Sequence, residues 1–497
     1  MFKKILIANR GEIAVRIIRA CQEMGIQAVA VYSEVDRNSK HVQIADNAYC
    51  IGAAPALESY LNIDKIIEVA KLSKAEAIHP GYGFLAENYL FSQRCEKEGI
   101  IFIGPNSKAL QLVGDKLESR KMAAKGNVPI IPGMESKELD IGNFAKWAEK
   151  IGYPVILKAS AGGGGKGMRV IQNKEELESA IEAGMREAKS AFGDETVYLE
   201  KLIEQPRHIE FQVLADNYGK VVHLFERECS IQRRHQKIVE ETPSPALNEE
   251  LRNKMGEAAV KVIKLARYNN AGTVEFLLDQ SENFYFLEVN ARIQVEHPIT
   301  EMVTGIDLVK AQIRIASGEK LWLNQNELRQ RGSAIECRIY AEDPDNNFLP
   351  SIGKILFVNE PNGPGVRVDS SLYSGLEISV YYDPILSKLI TWGEDRLTAI
   401  KKMHDTLSNY IIIGIKTQIN FLKAIMKQPE FVAGKTNTSF ISNHMQNWKK
   451  VPEQRYTKQA LVTAAIHSLN QTKSKTPTKK QIIYDPWLNI GPWEIGK

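Results

Sequence analysis

The stretch TVEFLLDQSENFYFLEVNARIQVEHP (residues 273–298) holds two glutamates with the spacing of a metal site. Two apolar runs flank the polar residues QSEN, a pattern that predicts a β-hairpin. A turn centred on 281–282 places Glu275 and Glu288 directly opposite each other, with Asn290 on the same face. The other face would hold Val274, Phe276, Leu278, Leu287 and Val289. Carboxylates about 5 Å apart repel each other unless a cation lies between them, and carboxylate and amide oxygens suit Mg²⁺. The pattern therefore indicates a Mg²⁺ (or Mn²⁺) site.

An edge hairpin with two solvated glutamates is the alternative, and the residues that follow the hairpin argue against it. Arg292, Gln294 and Glu296 come at every second position, so an extended continuation points all three to one side. A cation, an amide and a carboxylate beside a metal would make an active site.

The composition is that of an ordinary globular protein. A chain of 497 residues is too long for one core and predicts two to four domains. The 64 basic and 60 acidic residues give a net charge of +4, which is too balanced to favour nucleic acid as a partner. The five cysteines lack C-x-x-C spacing and indicate reduced thiols in a cytoplasmic protein. With no signal-peptide pattern and no apolar run of membrane-spanning length, we expect no membrane partner.

The first part of the chain alternates strand and helix patterns, which implies a parallel sheet wrapped by helices. The turn ANRGEIAVR has one glycine where a dinucleotide site needs three, so this region does not predict NAD binding. The loop HPGYGFLAEN (79–88) follows a strand end, where such sheets bind ligands, and a tight turn is the alternative. Strands are predicted at 4–8, 27–32, 77–79 and 100–103, and helices at 12–24, 63–70, 85–98 and 107–125.

A glycine-rich loop follows the strand predicted at 154–158. The sequence ASAGGGGKGMRVI has four consecutive glycines, whose backbone N–H groups can wrap an anion. The β-like MRVI, and the lack of Ser or Thr after Lys166, predict a strand–loop–strand lid rather than a Walker A site. A linker is the alternative, but Lys158 and Lys166 favour phosphate. The basic cluster of residues 225–241 adds Lys237 and His235 as ligand candidates.

From residue 333 onward β segments predominate and predict a mainly antiparallel α+β region. Helices are predicted at 396–409 and 418–426, and the main body should end near Trp448. Beyond it come a helix at 457–469, the lysine-rich linker QTKSKTPTKK and an apolar end.

Together these segments resemble the biotin carboxylase family, the ATP-grasp subunits or domains of biotin-dependent carboxylases. The motifs ANRGEIA, HPGYGFLAEN, GGGGKGMR, ERECSIQRRHQK, the hairpin and ECRIYAED stand in that family's order over residues 1 to about 446. The resemblance implies a mixed α/β and α+β architecture. Its parts would be a Rossmann-like domain (1–113), an ATP-grasp domain (114–332) with a mobile lid (about 131–203), an antiparallel α+β domain (333–446), and a helix, basic linker and apolar tail (447–497).

The resemblance also implies roles for individual residues. ATP contacts fall on Lys116, Lys158, Gly164, Gly165, Glu200, Lys201, Leu202, Ile203, His208, His235, Glu275 and Glu288. Metal ligands fall on Glu275, Glu288 and Asn290. Bicarbonate contacts fall on Lys237, Arg292, Gln294, Val295 and Glu296, and biotin contacts on Tyr82, Gly83 and Arg338. The catalytic residues would be Glu296, Arg292, Arg338 and Lys237. Arg19, Glu23 and Arg367 match positions at a homodimer interface.

The implied reaction converts bicarbonate, ATP and biotin into carboxybiotin, ADP and phosphate by way of carboxyphosphate. Glu296 would act as the base. Biotin would arrive on a separate biotin carboxyl carrier protein, and a carboxyltransferase subunit would complete the enzyme. Acetyl-CoA, propionyl-CoA, another acyl-CoA and pyruvate all stay open as the final acceptor.

Two other functions are the alternatives. Another ATP-grasp ligase, such as a carbamoyl-phosphate-forming enzyme, also activates bicarbonate. The lack of a tandem second copy and the presence of Tyr82, Gly83 and Arg338 count against it. An inactive nucleotide-binding regulatory subunit would be expected to have lost Glu288, Arg292, Glu296 or Lys237, and all four are present.

The end of the sequence suggests a docking segment. No A-M-K-M biotinylation motif occurs, and the nearest string is AIMKQP at 424–429. Trp487 and Trp493 follow the lysine-rich linker, and such aromatics are frequent at interfaces. Our hypothesis is that residues 481–497 bind a partner subunit, so deleting 471–497 should weaken assembly but leave carboxylation of free biotin intact.

Overall fold

The computed structural model describes residues 1–134, 141–159, 168–192, 195–446, 448–449 and 457–473. The chain divides into two compact units, Met1–Trp448 and Lys449–Lys497, so the predicted end of the main body near Trp448 is confirmed. In the second unit the described element is one helix, and the hypothetical docking segment lies outside the described residues. None of the helices in the described part of the chain combines the length and hydrophobicity needed to cross a lipid bilayer.

A five-stranded parallel sheet organises the first hundred residues, as the sequence predicts. Its strand order is β3-β2-β1-β4-β5. Ile5 and Ile7 pack into one apolar core and Leu6 into another, because successive strand residues face opposite sides. The elements are β1 (Lys4–Ile7), α1 (Gly11–Glu23), β2 (Gln27–Ser33), α2 (Lys40–Ile44), β3 (Asn47–Gly52), α3 (Ile63–Ser73), β4 (Ala77–His79), α4 (Tyr89–Lys97) and β5 (Ile101–Phe102).

Three local predictions in this region are wrong. The edge strand β3 was missed, because it is mostly half-buried or exposed and so lacks a continuous apolar run. Helix α4 begins at Tyr89 rather than at 85, since the Asn88 side chain accepts the Phe91 N–H and caps the helix there. The helix predicted over 107–125 is two helices, α5 (Ser107–Gly114) and α6 (Lys116–Lys125). Asp115 between them is extended and caps α6.

A four-stranded antiparallel sheet with its own core follows, in the order β6-β9-β7-β8. Strands β7 and β8 pair across the glycine-rich loop, which confirms the strand–loop–strand prediction. The loop itself, with Gly164, Gly165 and Lys166, lies outside the described residues. The elements are β6 (Gly133–Met134), α7 (Ile141–Ile151), β7 (Val155–Ala159), β8 (Arg169–Ile171), α8 (Leu177–Phe192) and β9 (Val197–Lys201).

The remaining elements are mostly antiparallel strands with helices packed on them, which agrees with the prediction made for residues from 333 onward. The strands are β10 (Arg207–Ala215), β11 (Val221–Arg233), β12 (Gln236–Thr242), β13 (Asn270–Leu278), β14 (Phe284–Asn290), β15 (Ser333–Tyr340), β16 (Glu342–Asp343), β17 (Leu349–Pro350), β18 (Gly353–Lys354), β19 (Phe357–Asn359), β20 (Val366–Ser370), β21 (Glu377–Ile378), β22 (Ile385–Gly393) and β23 (Ile411–Ile413). The helices are α9 (Glu249–Leu265), α10 (His297–Thr304), α11 (Leu308–Ala316), α12 (Arg396–Asn409), α13 (Ile419–Lys427), α14 (Pro429–Val432), α15 (Phe440–His444) and, in the second unit, α16 (Thr457–Lys473).

One eight-stranded antiparallel sheet positions most of the candidate site residues. Its strand order is β14-β13-β10-β11-β12-β15-β22-β20. The sheet continues across the domain boundary predicted at 332, because β12 pairs with β15, with Glu240 opposite Glu336. The hairpin β13–β14 and β15 therefore belong to one continuous sheet. The domain boundaries themselves stay predictions.

Candidate functional site

The hairpin β13–β14 places its two glutamates as the sequence predicts. Glu275 and Glu288 are directly opposite each other. A register shift follows immediately, because Phe276 pairs with Phe286 rather than with Leu287. The prediction that Leu287 packs on the apolar face is therefore wrong. The extra residue reverses the alternation, so Phe286 is buried in the core and Leu287 lines the cavity described below.

The two carboxylates of the pair differ in their surroundings. Glu275 Oε1 lies 2.7 Å from Lys237 Nζ, and its Oε2 lies 3.0 Å from His208 Nε2. Burial by itself raises the pKa of Glu275, but Lys237 and His208 bring this pKa well below its usual value. Within the described part of the chain Glu288 forms one ion pair, with Lys116 Nζ at 3.9 Å, and burial together with the charge of Glu275 raises the pKa of Glu288. Glu288 is thus short of positive charge, and a divalent cation would relieve the repulsion between the carboxylates of Glu275 and Glu288.

Lys237 on β12 is the centre of a buried charge cluster. Its Nζ donates to Glu275 Oε1 and, at 2.9 Å, to Glu296 Oε1, and it also pairs with Glu210. Burial alone would lower the pKa of Lys237, but the carboxylates of Glu210, Glu275 and Glu296 raise it well above its usual value. Lys237 is therefore a permanent cation in contact with the carboxylate that the sequence assigns as base.

Arg338 reaches the same carboxylate from the neighbouring strand β15. Its Nη2 donates to Glu296 Oε2 at 2.9 Å, and its Nε donates to Glu240 Oε1 at 2.6 Å. Burial raises the pKa of Glu296, but Lys237 and Arg338 together hold this pKa well below its usual value. Burial raises the pKa of Glu240 to about 7 in spite of Arg338. Glu296 is thus ionised and held by two cations.

A fully buried arginine supports this cluster, and the sequence interpretation treated Arg227 only as part of a basic run. Arg227 Nη2 donates to Gln294 Oε1 at 2.8 Å, and Gln294 Nε2 donates in turn to Glu275 Oε1 at 3.0 Å. Arg227 also pairs with Glu210, which lies directly opposite it on β10. The alternation of acidic and basic residues in FERECSIQ was the signal in the sequence.

The sequence interpretation also missed Glu87, in the loop HPGYGFLAEN. Glu87 Oε2 pairs with Arg292 Nε at 2.9 Å, and its Oε1 accepts the Ala291 N–H at 3.0 Å. Arg292 Nη2 then donates to Asn290 Oδ1 at 3.0 Å. This loop therefore positions Arg292 beside the end of the hairpin.

The four-stranded sheet β6-β9-β7-β8 contributes a second set of charges. The buried carboxylate of Glu200 pairs with Arg120 and, at 2.5 Å, with Lys158 Nζ. Lys201 Nζ donates to the carbonyl oxygens of Gly152 and Tyr153, both at 3.0 Å. The negative charge of Glu200 is thus neutralised by one cation from α6 and one from β7.

One cavity of about 870 Å³ brings most of the predicted residues together. Its lining includes Lys116, Lys158, Glu200, Lys201, Leu202, Ile203, His208, His235, Lys237, Glu275, Glu288, Asn290, Arg292, Gln294, Val295, Glu296 and Arg338. Tyr82 lies outside this lining, with its ring centroid 5.9 Å from Lys388 Nζ, which donates to the Val295 carbonyl at 3.0 Å. Gly83 is exposed beside Tyr82. Carboxylates for a cation and cations for anions thus share one cavity.

The three positions matched to an interface are not among the residues that line this cavity. Arg19 is exposed. Glu23 Oε2 pairs with Lys310 Nζ at 2.6 Å, and Arg367 Nη1 pairs with Glu301 Oε2 at 2.7 Å.

Three family models match the chain in order. Residues 1–110 match the biotin carboxylase N-terminal domain, residues 115–324 the ATP-binding domain of the carbamoyl-phosphate synthase L chain, and residues 336–443 the biotin carboxylase C-terminal domain. The middle model alone would leave the carbamoyl-phosphate alternative open. The two flanking models decide in favour of biotin carboxylase.

Relatives at high identity agree with these models. Biotin carboxylase of Nostoc sp. is 55% identical over 88% of this chain and 98% of its own length. Biotin carboxylase 1 of Bacillus subtilis is 53% identical over 89% of this chain and 99% of its own length. The biotin carboxylase domain dimer of Hydrogenobacter thermophilus 2-oxoglutarate carboxylase, solved with MgADP, ADP and bicarbonate, has a TM-score of 0.88. It is 50% identical and covers 90% of this chain and 100% of that domain. The chain belongs to the biotin carboxylase family and is an ATP-dependent ligase that carboxylates biotin.

Proposed function

We propose that the chain activates bicarbonate as carboxyphosphate in the 870 Å³ cavity and transfers the carboxyl group to biotin there. One observation supports this most strongly. The Glu296 carboxylate is buried and accepts hydrogen bonds from both Lys237 and Arg338. These two cations can bind an anion beside the carboxylate, and a cation that turns to the bound anion leaves the carboxylate free to accept a proton from it.

In the first step, bicarbonate would bind to Lys237, Arg292, Gln294 and the Val295 amide, and Glu296 would take its proton. The bicarbonate oxygen then forms a bond to the γ-phosphorus of ATP while the bond to ADP breaks. The negative charge that builds on the transferred phosphoryl group needs cations. Lys116 and Lys158, which line the cavity, would supply this positive charge, and His235, whose pKa is lowered by burial, would donate a hydrogen bond as a neutral imidazole.

Glu275, Glu288 and Asn290 would hold the metal ion, whose positive charge, when bound, neutralises the phosphates. The raised pKa of Glu288 supports this proposal, because burial and the unrelieved charge of Glu275 both act on that carboxylate. Further ATP contacts would come from Glu200, Lys201, Leu202, Ile203 and His208.

In the second step, carboxyphosphate would release CO₂ and phosphate. The phosphate takes the ureido proton of biotin, and the resulting nitrogen attacks CO₂ while Arg338 stabilises the enolate. Tyr82 and Gly83 would contact the biotin ring. Carboxyphosphate hydrolyses readily, so closure of the lid with Gly164 and Gly165 would protect it from water.

The proposed assembly is a homodimer in which each subunit contacts the other through Arg19, Glu23 and Arg367. Biotin would be presented on a separate carrier protein, and a carboxyltransferase subunit would use the carboxybiotin. A reducing compartment such as the cytoplasm suits the five cysteines, which are all free thiols.

The test is ADP release by the purified chain with ATP, Mg²⁺ and bicarbonate. We expect free biotin to stimulate this release and ¹⁴C from bicarbonate to appear in carboxybiotin. Ammonia in place of biotin should give no stimulation, which separates this activity from carbamoyl phosphate formation. Stimulation by ammonia alone, or turnover that does not need bicarbonate, would refute the proposal.

A further inference from the structure

The side chain of Asn9 lies against the loop that contains Tyr82 and Gly83. Strands β1 and β4 run parallel, and just past the end of β1 the Ala8 N–H donates at 2.9 Å to the carbonyl of His79, the last residue of β4. This pairing carries the chain after β1 alongside the chain after β4. Asn9 is only 3% exposed, so its amide is enclosed between the two segments.

The Asn9 amide bonds to the backbone of this loop at two points. Its Nδ2 donates to the carbonyl oxygens of Pro80 and Tyr82, each at 2.7 Å, and its Oδ1 accepts the Arg10 N–H at 2.9 Å. Both N–H bonds and one acceptor of the amide are thus in use. A side chain with two donors on one atom is what two converging carbonyl groups require.

The backbone conformation of the loop makes those two carbonyls converge. Gly81 and Gly83 both have left-handed φ values, of +64° and +67°, a conformation that glycine adopts readily. Gly81 also approaches Asn9 closely, because a Cβ at this position would lie 2.9 Å from Asn9 Nδ2. The lack of a side chain at Gly81 therefore leaves the space that the Asn9 amide occupies.

We propose that Asn9 is a positioning residue for biotin, which it serves by fixing the Pro80–Gly81 and Tyr82–Gly83 peptide groups and so the placement of Tyr82 and Gly83. This inference rests on the proposed biotin contacts of Tyr82 and Gly83 and deepens that proposal. Asn9 is not among the residues that line the 870 Å³ cavity. Its loss should therefore affect the use of biotin and spare the activation of bicarbonate by ATP.

The experiment compares two reactions of the full chain, biotin-dependent turnover and the bicarbonate-dependent ATP hydrolysis that occurs without biotin. Asn9→Asp keeps the shape but turns a carboxylate oxygen towards two carbonyl oxygens, and Asn9→Ala removes both hydrogen bonds. We expect kcat/KM for free biotin to fall roughly tenfold or more, as the loss of two hydrogen bonds implies. ATP hydrolysis without biotin should stay within about twofold of the wild-type rate.

A matched control comes from the same sheet region. Asn62 caps α3 by accepting the Lys65 N–H at 3.1 Å, so Asn62→Ala loses one asparagine hydrogen bond without touching the loop. It should leave the ratio of the two rates unchanged. If the Asn9 variants lower both rates in parallel, or if Asn62→Ala shows the same selectivity, Asn9 has a structural role only and the inference is wrong.

Tyr82→Ala separates this inference from the proposed function on which it depends. If Tyr82→Ala lowers kcat/KM for biotin while the Asn9 variants behave like the wild type, only the inference about Asn9 fails. If Tyr82→Ala has no effect on biotin, the proposed biotin contacts are wrong and the inference fails with them.

Discussion

Replacing the proposed base by an isosteric amide, Glu296→Gln, tests the chemistry most directly. Glutamine keeps the size of the side chain but cannot accept a proton. General-base catalysis contributes about 10²–10⁴ in rate, or about 2.7–5.5 kcal/mol of barrier. We therefore expect kcat for bicarbonate-dependent ADP release with free biotin to fall by that factor.

The structure also indicates what the substitution does to stability. The Glu296 carboxylate accepts hydrogen bonds from both Lys237 and Arg338, whereas glutamine has one oxygen and can keep only one of them. Losing a hydrogen bond to a charged group costs about 1.5–3 kcal/mol. Because the charge of Glu296 helps to raise the pKa of Glu240, its removal favours ionisation of Glu240, which restores the negative charge beside Arg338. The fold should therefore survive.

The assay pairs the rate measurement with ATP binding by titration calorimetry. The dissociation constant for ATP should change by no more than about threefold, because a larger loss in binding would indicate disruption of the cavity. Glu240→Gln is the matched control, since Glu240 is also buried and accepts a hydrogen bond from the same arginine, Arg338. Its rate should fall by less than about tenfold, as it is not the proposed base. A Glu296→Gln rate within tenfold of wild type, or an equal loss of ATP affinity, would refute the assignment.

Three further predictions concern the buried charges. Glu275→Gln and Glu288→Gln should each collapse ATP turnover at low Mg²⁺ while circular dichroism stays that of the wild type, and near-normal turnover of either would show that the hairpin is not the metal site. Arg227→Met should lower the free energy of unfolding in urea by about 3–5 kcal/mol, since the buried carboxylate of Glu210 loses one of its two cationic partners and the buried Gln294 Oε1 loses its donor. Arg94→Met, at an exposed ion pair, should leave the free energy of unfolding almost unchanged; equal losses in the two variants would contradict the argument. Burial raises the pKa of Glu12 from 4.5 to about 7, so the folded state keeps a proton that the unfolded state loses, and stability falls as pH rises through this range. Glu12→Gln should remove this pH-dependent loss of stability, so its free energy of unfolding relative to the wild type should improve by about 1–3 kcal/mol from pH 5 to pH 8. A difference between the two proteins that is independent of pH would contradict the raised pKa of Glu12.

Local sequence patterns determined several parts of this protein. The alternation of apolar and polar residues and the short turn are enough to place Glu275 opposite Glu288, because the register of a hairpin depends on residues that are close in sequence. Helix α12 has the bounds 396–409 that its amphipathic pattern predicts, and the side chain of Asp395 accepts the Thr398 N–H at its start. The parallel first sheet follows from alternating strand and helix patterns.

The tertiary structure decided how the site is assembled. Arg338 meets Glu296 because β12 pairs with β15, and Glu87 meets Arg292 across 205 residues of sequence. The extra residue in β14 turns Leu287 towards the cavity and Phe286 into the core. Both residues are apolar, so the sequence pattern does not distinguish which of them is buried. Local periodicity specifies which face of a strand is apolar, but it does not specify which distant strand becomes its neighbour or where the register shifts. Those choices depend on how side chains far apart in sequence pack and neutralise one another once they are buried.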